Sequence, residues 1–256
     1  MRWSVALSSA LLVASVSACA SDPEGVHVEV LVSVRHLAPG SAWDLETQSF
    51  RATYAELLSR SGYRVVVTPI SDHSLGEASL FDQIAPIESF FGSNHDDAQS
   101  QRTVQEKKAE GALSVLDSRR SGPKRTEIIN AIVGAKDRFE ADSRFLHRLL
   151  IIVSTGFEQS SVVNMADYNL KLNWPFMRKR LIDHLKATGQ VVDLRAVDVC
   201  MLAITSGDGN WADYNRSRGV RKFWEDYLAA GGANLVGYGG TIGSCRALTT
   251  RSAETQ

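Results

Sequence analysis

The residues that could do chemistry in this chain are dispersed along it. Two short polar clusters stand out, Asn94-His95-Asp96-Asp97 and Ser206-Gly207-Asp208-Gly209-Asn210. The first contains side chains that ligate transition metals. The second offers oxygen ligands but lacks the spacing and the terminal Glu of a calcium-binding EF-hand loop. Adjacent polar residues of this kind are typical of solvated turns, so we expect both clusters to be plain loops.

The sequence carries no recognised catalytic signature. It has no phosphate-binding loop ending in GKS or GKT, no GxSxG nucleophile elbow and no HExxH zinc motif. The glycine-rich segment 237–243 follows the last predicted strand, whereas a dinucleotide-binding loop follows the first. We therefore expect no cofactor, no metal and no enzymatic activity. A hydrolase whose catalytic groups lie on the loops after the strands stays open as the alternative, because such groups can converge from distant positions.

Charge and composition narrow the class of partner. The 256 residues include 28 Lys and Arg and 29 Asp and Glu, which gives a formal net charge of −1. Basic residues are scattered rather than clustered, so the electrostatic signature of nucleic-acid binding is missing. A hydrophobic content of 44% is that of an ordinary globular protein with a sizeable core.

The N-terminus has the pattern of an export signal. Arg2 precedes an apolar stretch from Val5 to Val16 that is interrupted only by small residues, and Val16-Ser17-Ala18-Cys19 follows at its end. The stretch is too short to span a bilayer comfortably, so it predicts a signal peptide over residues 1–18. The last four residues resemble the bacterial lipobox, which predicts that Cys19 is diacylated at sulfur and becomes the new N-terminus. The alternative is a plain secretory signal in which Cys19 is incidental.

Lipidation at Cys19 predicts a protein held on the bacterial cell envelope. Residues 19–25 would form a lipidated tether, and Ala20 in place of Asp favours the outer membrane, facing the periplasm. Thiols oxidise in an exported compartment, so Cys200 and Cys245 could form a disulfide. Because Cys200 lies within an apolar run, a buried free thiol is the alternative.

Apolar runs alternate with helical patterns along the rest of the chain. Continuous rather than alternating hydrophobicity indicates strands that are covered on both faces. The order predicts an α/β fold, a doubly wound and mostly parallel sheet with helices on both faces, over residues 26–242, followed by a polar tail over 243–256. The predicted strands are 28–34, 63–70, 149–154, 197–204 and 234–238, with an antiparallel edge strand near 83–87. The predicted helices are 50–58, 101–116, 128–139, 173–189 and 220–228. The apolar face of the fourth is predicted to contain Met177, Leu181 and Leu185.

This arrangement resembles the von Willebrand factor A domain over roughly residues 28–238. Four segments are similar to that family in order and spacing. They are the first strand, the threonine-bearing start of the helix at 125–132, the strand that ends in Ser154-Thr155-Gly156 and the late helix segment 222–228. The resemblance implies a Rossmann-like sheet and an edge of that sheet that binds other molecules.

The same resemblance implies a degenerate metal site. The family holds a divalent cation with an Asp-x-Ser-x-Ser loop, a threonine and a second aspartate, which supply hard oxygen ligands. Ser33, Arg35 and Leu37 stand in the loop here, Thr155 stands for the second aspartate, and only Thr126 matches. Without both carboxylates we expect no metal. Glu158 is the first candidate to replace one of them, so the candidate ligand face comprises Ser33, Arg35, Thr126, Thr155 and Glu158.

Together these features predict a lipid-anchored envelope protein that acts as a non-catalytic interaction or assembly module. Its expected partners are another envelope or secreted protein and, through the N-terminal lipid, the membrane.

Overall fold

The computed structural model describes residues 25–33, 48–49, 51–53, 57, 63–84, 95–119, 125–167, 170–204 and 211–245. The sites predicted at Cys19 and Arg35, the loop 206–210 and most of the predicted tail lie outside these ranges.

The centre of the domain is a six-stranded sheet in the order β3-β2-β1-β4-β5-β6, with every neighbouring pair parallel except β2 and β3. This is the strand order of the Rossmann fold. The central strands are buried along almost their whole length, as their continuous apolar runs predict. The strands are β1 (Val26–Ser33), β2 (Arg64–Ile70), β3 (Phe81–Ile84), β4 (His147–Val153), β5 (Val197–Leu202) and β6 (Asn234–Tyr238).

Helices cover both faces of the sheet. One face packs on helical Leu57 and on α1, and the other packs on α2, α3 and α4. The predicted fold class, a doubly wound α/β domain with a mostly parallel sheet, is therefore confirmed. None of the helices in the described ranges has the length and hydropathy of a membrane-spanning segment. The helices are α1 (His95–Arg119), α2 (Ile128–Ala141), α3 (Pro175–Ala187) and α4 (Trp211–Ala230), with single 3-10 turns at Ser74–Gly76 and Ile242–Ser244.

Two local predictions were wrong. The residues His95, Asp96 and Asp97, which we expected in a solvated turn, form the first turn of α1, where acidic side chains favour a helix N-terminus. The buried face of α3 also differs from the predicted one. Leu185 is buried as predicted, but Arg178 and Ile182 are buried with it, whereas Met177 and Leu181 are only half-buried. The guanidinium of Arg178 has hydrogen-bond partners inside the domain.

The chain after β6 folds back onto the sheet. Cys245 forms a disulfide with Cys200 of β5, with the two Cα atoms 5.5 Å apart, and both residues are fully buried. Gly237 of β6 leaves room for this return, since a Cβ there would collide with the carbonyl oxygen of Ser244. Residues 243–245, assigned to the tail by the sequence, therefore pack as part of the domain.

Candidate functional site

The predicted ligand-face residues lie at the edge of the sheet where the parallel strands end, which is where open α/β sheets bind ligands. Ser33 ends β1, and the pairing of Val32 with Val153 brings it level with Ser154, just before Thr155. Thr126 reaches the same edge because the next residue, Glu127, donates its backbone N–H to the carbonyl of Ser71, just after β2.

Most of this predicted face is closed to solvent. Ser33 and Thr126 are 1% and 2% exposed, and Glu158 is fully buried, whereas Thr155 is half-buried. The structure thus brings Thr126 and Glu158 together, with Ser33 and Thr155 at the same edge. All of them except the half-buried Thr155 are buried, so they do not form an open surface.

Glu158 is used to cap a helix. Its Oε2 atom accepts a hydrogen bond from the backbone N–H of Ile129, 3.0 Å away, in the first turn of α2. The next residue, Gln159, donates its backbone N–H to the carbonyl of Thr126 at 2.8 Å. Helix N-termini have backbone N–H groups without intrahelical acceptors, and the carboxyl oxygen of Glu158 accepts from one of them. The loop after β4 and the start of α2 are therefore joined.

Burial also changes the ionisation of Glu158. Removal from water raises the pKa of its carboxyl to about 8, against the opposing effect of hydrogen bonds from backbone N–H groups of Ile129 and Ile128 and from Ser160. At neutral pH the proton is therefore mostly retained. Its second oxygen, Oε1, has no hydrogen-bond partner within the described part of the chain.

This donor set does not fit a divalent cation. Mg²⁺ and Ca²⁺ require several hard oxygen ligands with enough negative charge to offset dehydration. Ser33, Thr126 and Thr155 offer neutral hydroxyls, and Glu158 is engaged with Ile129 and mostly protonated. Among the described residues, no three His, Cys, Asp or Glu side chains lie close enough together to hold a metal ion.

The loop from β4 to α3 is fixed on α4. The indole Nε1 of Trp224 donates to the carbonyl of Gly156 at 2.7 Å. Further along, Arg216 donates to the carbonyl of Met165 at 2.8 Å, and its guanidinium lies 4.8 Å from the ring centroid of Phe157. These contacts hold the loop across the carboxyl-terminal edge of the sheet.

Two exposed aromatic residues flank Pro175: Trp174 at the end of the loop and Phe176 in the first turn of α3. Trp174 is 62% exposed and Phe176 is 70% exposed, and we call them the aromatic pair. Trp174 also lines a cleft of about 260 Å³ between the segment 165–174 and α4. The loop approaches α4 closely because residue 219 is glycine: a Cβ there would lie 3.0 Å from the side chains of Leu172 and Asn173.

Arg178 lies in the interior behind the aromatic pair and fixes the segment that carries it. It is almost fully buried, and its Nε donates to Asp226 Oδ2 at 2.6 Å while its Nη1 donates to the carbonyl of Leu172 at 2.8 Å. One side chain therefore connects α3, α4 and the loop that carries the aromatic pair.

The sequence prediction missed the aromatic pair. Trp174 and Phe176 lie beside Pro175, off the helical spacing that predicts the buried face of α3. Their position could have revealed them. Large aromatic side chains at the start of a helix, but off its apolar face, are exposed to solvent or contact a partner.

The strand order and the helices on both faces define a doubly wound α/β domain, the class that includes von Willebrand factor A-like and Rossmann-like domains. No protein family matches the chain, and no curated protein matches it.

Solved structures similar to the chain include two bacterial proteins. One is the pilus adhesin SpaC from Lactobacillus rhamnosus GG in its open conformation, with a TM-score of 0.43 and 12% identity over 90% of this chain. The chain spans about 30% of the length of that adhesin. The other is the conserved hypothetical protein BatB from Bacteroides thetaiotaomicron, with a TM-score of 0.41 and 13% identity, covering 90% of this chain and 97% of that one.

Proposed function

We propose that the chain is a lipid-anchored protein of the bacterial cell envelope that acts as a non-catalytic interaction or assembly module. Cys19 carries the anchor, the outer membrane holds it on the periplasmic side, and the partner is another envelope or secreted protein. The partner binds at the carboxyl-terminal edge of the sheet, on the aromatic pair and the cleft beside it.

The observation that carries this proposal is the exposure of Trp174 and Phe176 at the start of α3. Isolated exposed apolar residues are normal on a protein surface, but two large aromatic side chains beside a cleft are not scattered. Tryptophan is enriched among the residues that dominate protein interfaces, because its rigid ring buries a large area with little loss of conformational entropy. The aromatic pair therefore suits a protein partner.

The buried groups at the same edge support a non-catalytic role. A hydrolase needs a nucleophile that reaches its substrate and a base beside it. The hydroxyls of Ser33 and Thr126 are buried, and the Glu158 carboxyl is occupied by the N-terminus of α2. These groups maintain the architecture of the edge.

Co-purification tests the proposal. Acylated protein is isolated from envelopes by a C-terminal affinity tag, and partners are quantified by mass spectrometry for the natural sequence and for the Trp174→Ala/Phe176→Ala variant. The control is Val104→Ala/Val115→Ala, which removes two exposed apolar side chains of α1, away from the carboxyl-terminal edge. We expect the first variant to lose a specific partner that the control retains. Equal recovery of every protein by all three would contradict the proposal.

The anchor is tested separately by the mass of the mature N-terminus. We expect cleavage before Cys19 and a mass increase equal to the acyl groups. An unmodified Cys19, or cleavage at another bond, would remove the anchor from the proposal while leaving the co-purification result to decide the interaction.

A further inference from the structure

The opposite edge of the sheet carries features that the interaction module does not use. The parallel strands begin there, and Val26 of β1 pairs with His147 of β4. The residue before His147 is Leu146, the most exposed of the large apolar side chains in the described part of the chain at 81%. Its neighbour Phe145 is turned inward, with its ring centroid 5.9 Å from that of buried His27, so Leu146 projects from the domain.

A polar cleft of about 330 Å³ opens at the same edge. Two of its cations are paired, Lys136 with Glu140 at 2.6 Å and Arg195 with Asp193 at 2.6 Å. The third, Arg148, is half-buried and has no carboxylate partner among the described residues. The cleft therefore has one guanidinium available for an anion, and guanidinium is well suited to phosphate.

The path of the chain places this edge beside the membrane. Six residue steps separate Gly25, where the described chain enters β1, from Cys19. Even a fully extended chain spans no more than about 3.6 Å for each step, so Gly25, just before β1, lies within roughly 22 Å of an acylated Cys19. That bound depends only on covalent geometry. The aromatic pair lies at the far edge of the sheet, where it remains available to a partner.

We propose that the amino-terminal edge of the sheet, at Leu146 and Arg148, is the surface by which the domain contacts the anionic phospholipid headgroups of its own membrane. Leu146 enters the interfacial region and Arg148 receives a phosphate group, the two contributions that hold peripheral surfaces on bilayers. The inference rests on the proposed anchor at Cys19 and specifies how the anchored domain is oriented.

Nitroxide quenching tests this orientation. The acylated full chain carrying Leu146→Cys is labelled with the environment-sensitive dye NBD while the native disulfide is kept oxidised, and is reconstituted into vesicles of phosphatidylcholine with or without phosphatidylglycerol. The matched control is Leu75→Cys, an exposed leucine that follows the carboxyl end of β2 and so lies at the opposite edge. Lipids bearing nitroxide groups near the headgroup are then added.

We expect a blue shift and loss of most of the NBD emission at position 146, little change at position 75, and a smaller effect at 146 without phosphatidylglycerol. Arg148→Gln in the labelled protein should remove that lipid dependence. Equal quenching at both positions would overturn the proposal. So would a position 146 that is shielded by a second copy or another protein and is not quenched by lipid nitroxides. Mass spectrometry of the same sample identifies the other failure: without acyl chains on Cys19, the anchor and this orientation are both refuted.

Discussion

The carboxyl of Glu158 and the backbone N–H of Ile129 lie 3.0 Å apart, so a side chain from the loop after β4 caps the helix that begins at Ile128. In the von Willebrand factor A domain, which the sequence resembles, this edge of the sheet holds a cation. Here the Glu158 carboxyl is engaged by a helix terminus instead, and it is buried beside the hydroxyl-bearing residues Ser33 and Thr126.

The first prediction concerns Glu158 and pH. Its pKa is about 8 in the folded chain and near 4.5 when unfolded, so the folded state binds the proton more tightly. This favours folding at low pH, and the free energy of unfolding falls as pH rises between these values, by up to about 1.4 kcal/mol per pH unit. Glu158→Gln keeps an oxygen acceptor for Ile129 but cannot ionise, so we expect it to be more stable than the natural sequence at pH 8.

Urea unfolding at several pH values between 4 and 9 measures this difference. Glu140→Gln is the control, because Glu140 lies on the exposed side of α2 and is 58% exposed. We expect the Glu158 variant to lose part of the pH slope and the Glu140 variant to retain it. Parallel slopes for all three proteins would show that Glu158 is ionised in the folded state.

The second prediction concerns the disulfide between Cys200 and Cys245. It closes a loop of 45 residues, which on the chain-entropy model contributes roughly 4 kcal/mol to stability. We expect Cys200→Ala/Cys245→Ala to lower the urea midpoint, with the added cost of two small cavities in the core. Thiol labelling of the unfolded, unreduced mature protein provides the direct check, and reaction at both residues would refute the bridge.

The third prediction concerns the support of the aromatic pair. Arg178→Met removes the charged donors to Asp226 and to the carbonyl of Leu172, and hydrogen bonds to charged groups contribute about 1.5–3 kcal/mol each. We expect a loss of stability of about 2 kcal/mol or more, and weaker partner binding at Trp174. Lys179→Met is the matched control, because its pair with Asp183 is exposed and such pairs contribute at most about 1 kcal/mol. Similar losses in both variants would contradict the supporting role of Arg178.

The fourth prediction is that stability does not depend on divalent cations. A cation that binds only the folded state at about 100 times its Kd adds about 2.7 kcal/mol, which thermal unfolding detects readily. We expect the same Tm in EDTA and in millimolar Mg²⁺, Mn²⁺ or Ca²⁺. A rise of several degrees with one cation, abolished by Thr126→Ala, would establish a metal site at this edge.

Much of the fold could be predicted from the sequence because the apolar composition of the strands indicates that they are buried. The apolar runs of β1, β4 and β5 are long enough to identify strands covered on both faces. The edge strand near 83–87 was also predictable, although β3 begins earlier, at Phe81. The disulfide could not be decided, since its two cysteines meet only because β6 lies beside β5 and the chain then returns over Gly237.

The candidate site was less predictable because it depends on which polar groups find partners in space. A hydrophobic pattern predicts that charged residues such as Arg178 and Glu158 are exposed, whereas both are buried in the structure. Arg178 donates to the carbonyl of Leu172, and Glu158 accepts from the backbone N–H of Ile129. Once Arg178 turns inward, the helical face of α3 shifts, and Trp174 and Phe176 remain outside. Sequence spacing alone does not contain that information.

Site-specific photocrosslinking in the intact envelope tests the central claim most directly. A photoreactive phenylalanine analogue replaces Trp174 or Phe176 in turn, and Val104 on α1, itself 52% exposed, serves as the control position. The proposal predicts one crosslinked protein of defined mass from positions 174 and 176 that is absent at 104. The same products at all three positions, or none at 174 and 176 in cells where the acylated protein is present, would contradict an interaction surface at this edge of the sheet.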